Sequence, residues 1–360
     1  MKILQLCKYY APILGGIELV EKTITKAHCD LGDQVVVVAF AESKKEEVGE
    51  FNESIYLVKQ DLFFKSAPIN FTFLFEFRKV LVKHEINRIY VHLPNPFMHE
   101  VLKYSQGFLK ISSIDVVAVY HSDIVNQKFL GKLYNYYFSL NKNLYQFWIC
   151  SSEKLWNSSP ILSTINKSKM RIIPFCTEGH LEFKKRDKFT GKLLAIGRLV
   201  PYKGFEFLIN TINKTNYELN IIGDGPEGQK LDSIAGPKVI LHKRLNDEDK
   251  KILFDQCDAL VVSSINRAEA YGMIIVEAFE AGMPVIASNL KSGVTYLVQH
   301  EKTGLVFETE NSDELIQAVK RLENDERLYQ TISINARDFF DSVLSYPHFR
   351  EKIKNFKEKV

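Results

Sequence analysis

The chain has 360 residues, 46% hydrophobic and 25% charged, with 25 Phe and 16 Tyr. That composition gives a globular protein with a large core and length for two domains, and it excludes disordered and collagen-like chains. Net charge is +3, no nucleic-acid partner is expected, and no run approaches the ~20 apolar residues of a membrane-spanning helix.

Charge is unevenly placed. Residues 101–170 hold eight Lys against three acidic residues, 8 − 3 = +5, interleaved with Phe129, Tyr134, Tyr136, Tyr137, Phe138, Tyr145, Phe147 and Trp148. Two readings stand: ordinary helices with buried rings and solvated lysines, or a patch at 128–154 that rests on an anionic membrane surface. Cys7, Cys29, Cys150, Cys176 and Cys257 show no paired metal-ligand spacing. An odd, scattered set predicts reduced thiols and a cytoplasmic location. The apolar stretch after Met1 is too short for a signal peptide.

In chain order, a strand Ile3–Leu6 leads through the Pro/Gly loop Ala11–Gly16 to a helix Ile17–Leu31 closed by Gly32, then to the β-branched run Val35–Ala39. That is a βαβ unit. Further strands are predicted at Arg88–His92, Val116–Tyr120, Trp148–Ser151 and Arg171–Ile173. Turn signals and the charged stretch Glu182–Lys188 mark a linker between Pro174 and Gly191. A second βα series follows, with strands at Lys192–Gly197, Leu219–Gly223, Val239–His242, Ala259–Ser263, Pro284–Ser288 and Gly304–Phe307. Helices are predicted over Asp247–Cys257 and Ser312–Asn324, and the tail after Arg327 is helix-rich. Short apolar strands alternating with helices imply parallel sheets covered on both faces. The fold class is α/β, with two doubly wound domains divided near residue 175. Ligands of such sheets sit beyond the carboxyl ends of the strands, so the chemistry belongs to the loops there.

Gly15-Gly16 lies between a strand and a helix, either as an ordinary turn or as a loop whose free N–H groups can meet a phosphate. The loop Gly197-Arg198-Leu-Val-Pro-Tyr-Lys203-Gly204 offers two cations to a diphosphate, Arg198 through bidentate hydrogen bonds and Lys203 as a point charge. Gly223-Asp-Gly-Pro-Glu-Gly228 matches G-x-G-x-x-G after a strand, but Pro226 removes an N–H and no acid ends the next strand. A turn lining a nucleotide site is expected there, not a dinucleotide fold. His121 follows a strand at its carboxyl end, with Asp123 placed to orient it or to face an acceptor hydroxyl. Glu269 and Glu277 flank Gly272. If the span is wholly helical they lie about 12 Å apart along its axis, while a loop at Gly272 alters that. Two carboxylates so placed suit the hydroxyls at the hexose and ribose ends of a sugar nucleotide.

Together these residues resemble, in order and over nearly the whole chain, the retaining glycosyltransferases of family 4, which have the GT-B fold. Tyr120-His-Ser-Asp-Ile-Val and Ile173-Pro-Phe look like bacterial O-antigen mannosyltransferases. The resemblance implies two Rossmann-like domains facing across a cleft: residues 1–174 binding acceptor, 175–340 binding nucleotide sugar, and a helix within 341–360 that crosses back to the first domain. It implies that Arg198 and Lys203, with Gly15, Gly16, Gly197 and Gly223, hold the diphosphate. Glu277 would hold the ribose. Glu269 and the backbone at Tyr271, Gly272 and Met273 would hold the hexose, with His121 at the reaction centre. It further implies a nucleotide-sugar donor (GDP-mannose favoured, UDP-hexose or UDP-HexNAc as alternatives), no metal, and a glycan acceptor on a polyprenyl diphosphate lipid. The place of action would be the inner face of the cytoplasmic membrane, in O-antigen or capsule biosynthesis. A non-catalytic sugar-nucleotide-binding partner is the competing reading. Phe175-Cys-Thr-Glu178 replaces the family's usual Asn-Gly-Val-Asp, and Tyr271 replaces a usual Phe.

Overall fold

The computed structural model describes residues 1–11, 15–64, 67–124 and 135–359. The chain divides into two compact units. One comprises Met1–Ser152, Ser159–Cys176 and Pro347–Val360, the other Glu153–Ser158 and Thr177–Tyr346.

The first unit is built on a sheet ordered β10-β9-β8-β7-β1-β2-β4-β3. Its strands are β1 (Lys2–Leu6), β2 (Gln34–Ala41), β3 (Lys45–Val48), β4 (Ser54–Lys59), β7 (Arg88–Leu93), β8 (Asp115–Tyr120), β9 (Phe147–Cys150) and β10 (Met170–Ile172). A separate antiparallel pair joins β5 (Leu62–Phe64) to β6 (Ala67–Ile69). All ladders of the large sheet are parallel except β3 on β4. Every residue of β7 is buried, as a parallel strand covered on both faces requires. The sequence pattern does not reveal β3: it carries Lys45, Glu46 and Glu47 on an exposed edge, where charge guards unpaired backbone.

The helix Gly16–Asp30 ends where Gly32 takes a left-handed φ of 77°. There Gly32 N–H donates to Cys29 O at 2.9 Å and Asp33 N–H to His28 O at 3.0 Å. This paired closure favours a residue without a Cβ. Asp33 itself accepts from His28 Nδ1 at 2.8 Å, from Lys357 Nζ at 2.6 Å and from the Met1 amino group. Although burial opposes its charge, those three donors hold its carboxyl below the usual range.

The second unit has a sheet ordered β13-β12-β11-β14-β15-β16, all parallel: β11 (Lys192–Ile196), β12 (Glu218–Ile222), β13 (Val239–His242), β14 (Ala259–Val262), β15 (Val285–Ser288) and β16 (Gly304–Phe307). Leu193, Leu219, Val261, Ile286 and Leu305 form its core with Leu208, Val319 and Ile332 from the helices. Asn246 and Asn311 cap the helices Asp247–Gln256 and Ser312–Asn324, accepting from Asp249 N and Glu314 N.

Unit boundaries fall at 176/177 and 346/347, against the 174/175 and 340/341 read from sequence. Thr177 donates to buried Glu280 at 2.7 Å, which ties it to the second unit. A π-helical turn, Phe340–Leu344, extends the helix Glu326–Phe339 and buries Phe340 and Leu344, so the terminal segment starts later than expected. In the charged stretch read as a linker, Arg186 is buried and donates to Cys257 O at 2.5 Å and Phe254 O at 2.8 Å.

The interleaved aromatics divide. Phe129 and Tyr134 lie outside the described residues. Phe138, Tyr145 and Trp148 are core residues, whereas Tyr136 and Leu140 are exposed. Among the described residues no helix is long and apolar enough to cross a membrane.

Candidate functional site: two clusters at the switch points of the sheets

In each sheet the strand order reverses beside the first strand, and such reversals are where open α/β sheets bind ligands. In the first unit β1 lies between β7 and β2; in the second β11 lies between β12 and β14. The polar residues predicted from sequence collect at the carboxyl ends of these strands.

In the second unit β11 runs into Gly197. Backbone from this loop crosses the loop after β12: Gly197 N–H donates to Ile222 O, Leu199 N–H to Asp224 O, and Glu227 N–H to Leu199 O. A Cβ on Gly223 would meet Gly197 O at 2.0 Å and one on Gly225 would meet Leu199 O at 2.4 Å. Gly223 and Gly225 thus serve close backbone approach. Gly204, at φ 69°, has Ser263 O where a Cβ would stand.

That crossing fixes Lys203. Its ammonium pairs with Glu269 Oε2 at 2.5 Å, and Ser264 Oγ donates to the same oxygen at 3.0 Å. Burial pulls the Lys203 pKa down, but Glu269 outweighs it and the net shift is upward. Lys203 is therefore a charged group at neutral pH. Removing one member of such a sheltered pair costs about 3 kcal/mol. A Cβ on Gly197 would lie 3.2 Å from Lys203 Nζ, so the ammonium reaches back over the start of its own loop. Arg198, the other predicted cation, is exposed, and among the described residues its side chain makes no hydrogen bond or ion pair.

Glu269 and Glu277 are not on one helix. Gly272 adopts φ 83° and caps the helix Met273–Glu280, leaving Glu269 in the preceding loop and Glu277 on the helix. The 12 Å helical spacing therefore does not apply. Glu277 pairs with Lys250 of the helix Asp247–Gln256. The N–H groups of Gly272, Met273 and Ile274 have no acceptor among the described residues, as expected at a helix start. Tyr271 is buried against Gly293.

In the first unit His121 follows β8 and is 7% exposed. Asp123 does not emerge as its orienting group: Asp123 Oδ1 accepts from Tyr120 Oη at 2.8 Å and Ser159 Oγ at 2.6 Å. His92, at the end of β7, takes that part. Its Nδ1 lies 2.8 Å from His121 Nε2, and its Nε2 lies 2.7 Å from Gln5 Oε1 on β1. The two imidazoles stack with centroids 5.1 Å apart. Phe175, one of the departures from the family pattern, packs on His121 at 5.3 Å. Burial lowers both histidines, His121 to about 3, with His121 adding to the shift of His92. Both are neutral near pH 7. Cys7 and Glu21 lie alongside His92, also fully buried, and burial raises both groups. Gly15 lies under the Glu18 carboxylate, which occupies the place of a Cβ, and Gly16 opens the helix.

Sequence reasoning passed over His92, Gln5 and Lys250. His92 had the same signal as His121, a histidine ending a buried strand, and Gln5 is the polar residue in an otherwise apolar strand. Nothing along the chain links Lys250 to Glu277, because helix packing alone brings them together.

Comparison with known proteins agrees with this architecture. The family model described as "Glycosyltransferase Family 4" matches residues 14–174 and that described as "Glycosyl transferases group 1" matches 181–339. The O-antigen chain mannosyltransferase C of Escherichia coli is 27% identical over 99% of this chain and 97% of its own length. The D-rhamnosyltransferase WbpZ of Pseudomonas aeruginosa is also 27% identical, over 85% of this chain and 82% of its own. Among solved structures, sucrose-phosphate synthase from Thermosynechococcus elongatus superposes over 100% of this chain and 99% of its own (TM-score 0.81, 15% identity). Anabaena HepE, crystallised with UDP, superposes over all of both chains (TM-score 0.78, 19% identity). With two Rossmann-like α/β domains and both family models matched in order, the chain belongs to the family 4 glycosyltransferases of GT-B fold.

Proposed function

We propose that this enzyme transfers a hexose, with retention of configuration, from a nucleotide sugar to a lipid-linked glycan in the synthesis of a bacterial surface polysaccharide. GDP-mannose is the favoured donor. The observation that carries the reading is the grouping in the second unit of the exposed Arg198, the charged Lys203 and the three free amides at Gly272–Ile274. Such a set of donors suits a diphosphate whose charge grows as the bond to the sugar breaks. Arg198 takes the diphosphate bidentately and Lys203 supplies a fixed positive charge. Glu269 accepts from hexose hydroxyls, and Glu277 exchanges Lys250 for the ribose.

The acceptor hydroxyl attacks on the face from which the diphosphate leaves. Its proton passes to the leaving phosphate oxygen, so no protein carboxylate forms a bond to the sugar. The two cations and the helix start provide the charge stabilisation for which other folds use a metal; turnover in EDTA should match turnover with added Mg2+. His121 is the first unit's candidate partner for a sugar hydroxyl. Residues 128–154, with exposed Tyr136 and Leu140, bring the enzyme to an anionic membrane, which sedimentation with anionic vesicles at low salt tests.

The mannose assignment draws on one relative's name, and the relative named for D-rhamnose, of the same percentage identity over a shorter match, favours a second donor. A thermal-shift screen against nucleotide sugars separates them, since a ligand bound only by the native state raises its stability. GDP-mannose should give the largest shift, followed by acceptor-dependent release of GDP. A larger shift with nucleotide-linked rhamnose replaces the donor. Absence of turnover with every donor that binds overturns catalysis in favour of a non-catalytic binding partner.

A further inference from the structure

We propose that Gln5 and His92 are positioning residues that lock His121 in the Nε2–H tautomer and thereby present its Nδ1 as a hydrogen-bond acceptor toward a sugar hydroxyl. The second half of this inference rests on the functional reading of His121 given above.

The row can be read from its fixed end. Gln5 Nε2 donates to the carbonyl oxygen of Glu21 at 3.0 Å and to Thr25 Oγ1 at 2.7 Å. A carbonyl only accepts, so the amide orientation is determined and Gln5 Oε1 faces His92 Nε2 at 2.7 Å as an acceptor. His92 Nε2 must carry a proton. A neutral imidazole has one N–H and one bare nitrogen, and burial keeps His92 neutral. His92 Nδ1 is therefore bare and accepts across 2.8 Å from His121 Nε2. His121 Nε2 is protonated in turn. Its ring is also held neutral, which leaves the Nδ1 lone pair as an acceptor. Among the described residues Nδ1 makes no hydrogen bond.

The same bonds exclude a competing use of the cluster. Cys7, Glu21 and His92 offer atoms within 4.8 Å of one another, but both His92 nitrogens are committed, so an ion there would cost the row one of its two links. Burial also disfavours charge on the neighbours, raising both Cys7 and Glu21, so the order along the row is set by the hydrogen bonds that start at Gln5. The second-rank residue of such a pair fixes which ring nitrogen carries the proton; loss of the outer partner of a metal-bound histidine typically costs 10- to 100-fold in activity, and the same scale is expected here.

The test uses full-length protein labelled with 15N at histidine, with His121 assigned from a His121→Asn sample. In the wild type, long-range 1H–15N spectra should show a protonated Nε2 and an unprotonated Nδ1 for His121. His92→Phe keeps the ring stack and removes the acceptor. It should shift His121 toward the Nδ1–H form and lower kcat for nucleoside diphosphate release by roughly tenfold or more. His92→Gln, whose amide can both donate to Gln5 and accept from His121, should restore the tautomer and most of the rate. A wild-type His121 protonated at Nδ1, or a His92→Phe protein with tautomer and kcat unchanged, overturns the proposal. Full turnover by His121→Asn instead overturns the functional reading of His121, and the ring spectra judge the row separately. Because the spectra report folded molecules, reduced stability of His92→Phe does not obscure the outcome.

Discussion

The two switch-point clusters are built on opposite electrical principles. In the first unit Gln5, Cys7, Glu21, His92 and His121 are buried, and burial drives each of the titratable four toward its neutral form. In the second unit Lys203, Glu269, Lys250 and Glu277 are held as ion pairs, and Arg198 stands exposed. A neutral hydrogen-bonded row orients a group without attracting ions. A set of paired and free charges can trade its internal partners for a charged ligand. Rossmann-like topology therefore provides the location in both units, and side-chain charge decides what each location does.

The sharpest way to break this contrast is to remove the cations. Arg198→Ala and Lys203→Ala should each lower turnover by about 10²- to 10³-fold, but they should differ in stability. Arg198 has no partner to abandon, so its variant should unfold with the wild type. Lys203→Ala strands Glu269 and should lose about 3 kcal/mol in denaturant titration. Full activity in the double variant would remove the diphosphate assignment.

A smaller effect separates ligand contact from scaffold at the second pair. Glu277→Gln should weaken donor affinity about tenfold, or ~1.4 kcal/mol, in calorimetric titration. Lys250→Ala should change affinity less, because it only frees the carboxylate that the ribose would engage. The reverse ranking would make Lys250 the ligand contact.

The mildest test concerns pH and fold stability. The folded pKa of Glu21 is raised, so stability is greatest below the usual carboxylate range and declines as pH rises toward the raised value. Glu21→Gln should thus gain thermal stability relative to wild type at pH 8, a gain that disappears near pH 4. Asp33 has the opposite sign. Its pKa is lowered, so its contribution is present at neutral pH and fades as pH falls below the usual range. Asp33→Asn should be destabilised at pH 7 and still be less stable than wild type near pH 3, the difference narrowing as pH falls further toward the lowered value. Parallel pH responses from both variants would contradict the assigned protonation states.

The second unit's sheet was readable because β11, β14 and β15 are short apolar runs buried on both faces. The first unit's edge was not, since the charges that protect β3 disguise it as a loop. Among site residues, Arg198, Lys203 and His121 announced themselves by following strands. Gly272 was recognised as a break only conditionally, since one glycine in an apolar run fits both helix and cap. The burial of Arg186 had no local signal, because its acceptors are carbonyls at Phe254 and Cys257, far along the chain.

The segmented units also bear on how this enzyme can be recombined. The chain passes between units at 152/153, 158/159, 176/177 and 346/347. Phe349, Ile353 and Phe356 of the last helix are buried in the first unit, where Phe356 meets Tyr90 and Phe147. A chimera with a relative of different donor preference should therefore exchange 177–346 as an internal cassette, together with 153–158. Swapping everything after residue 176 would give the first unit a foreign closing helix and replace Lys357 opposite Asp33.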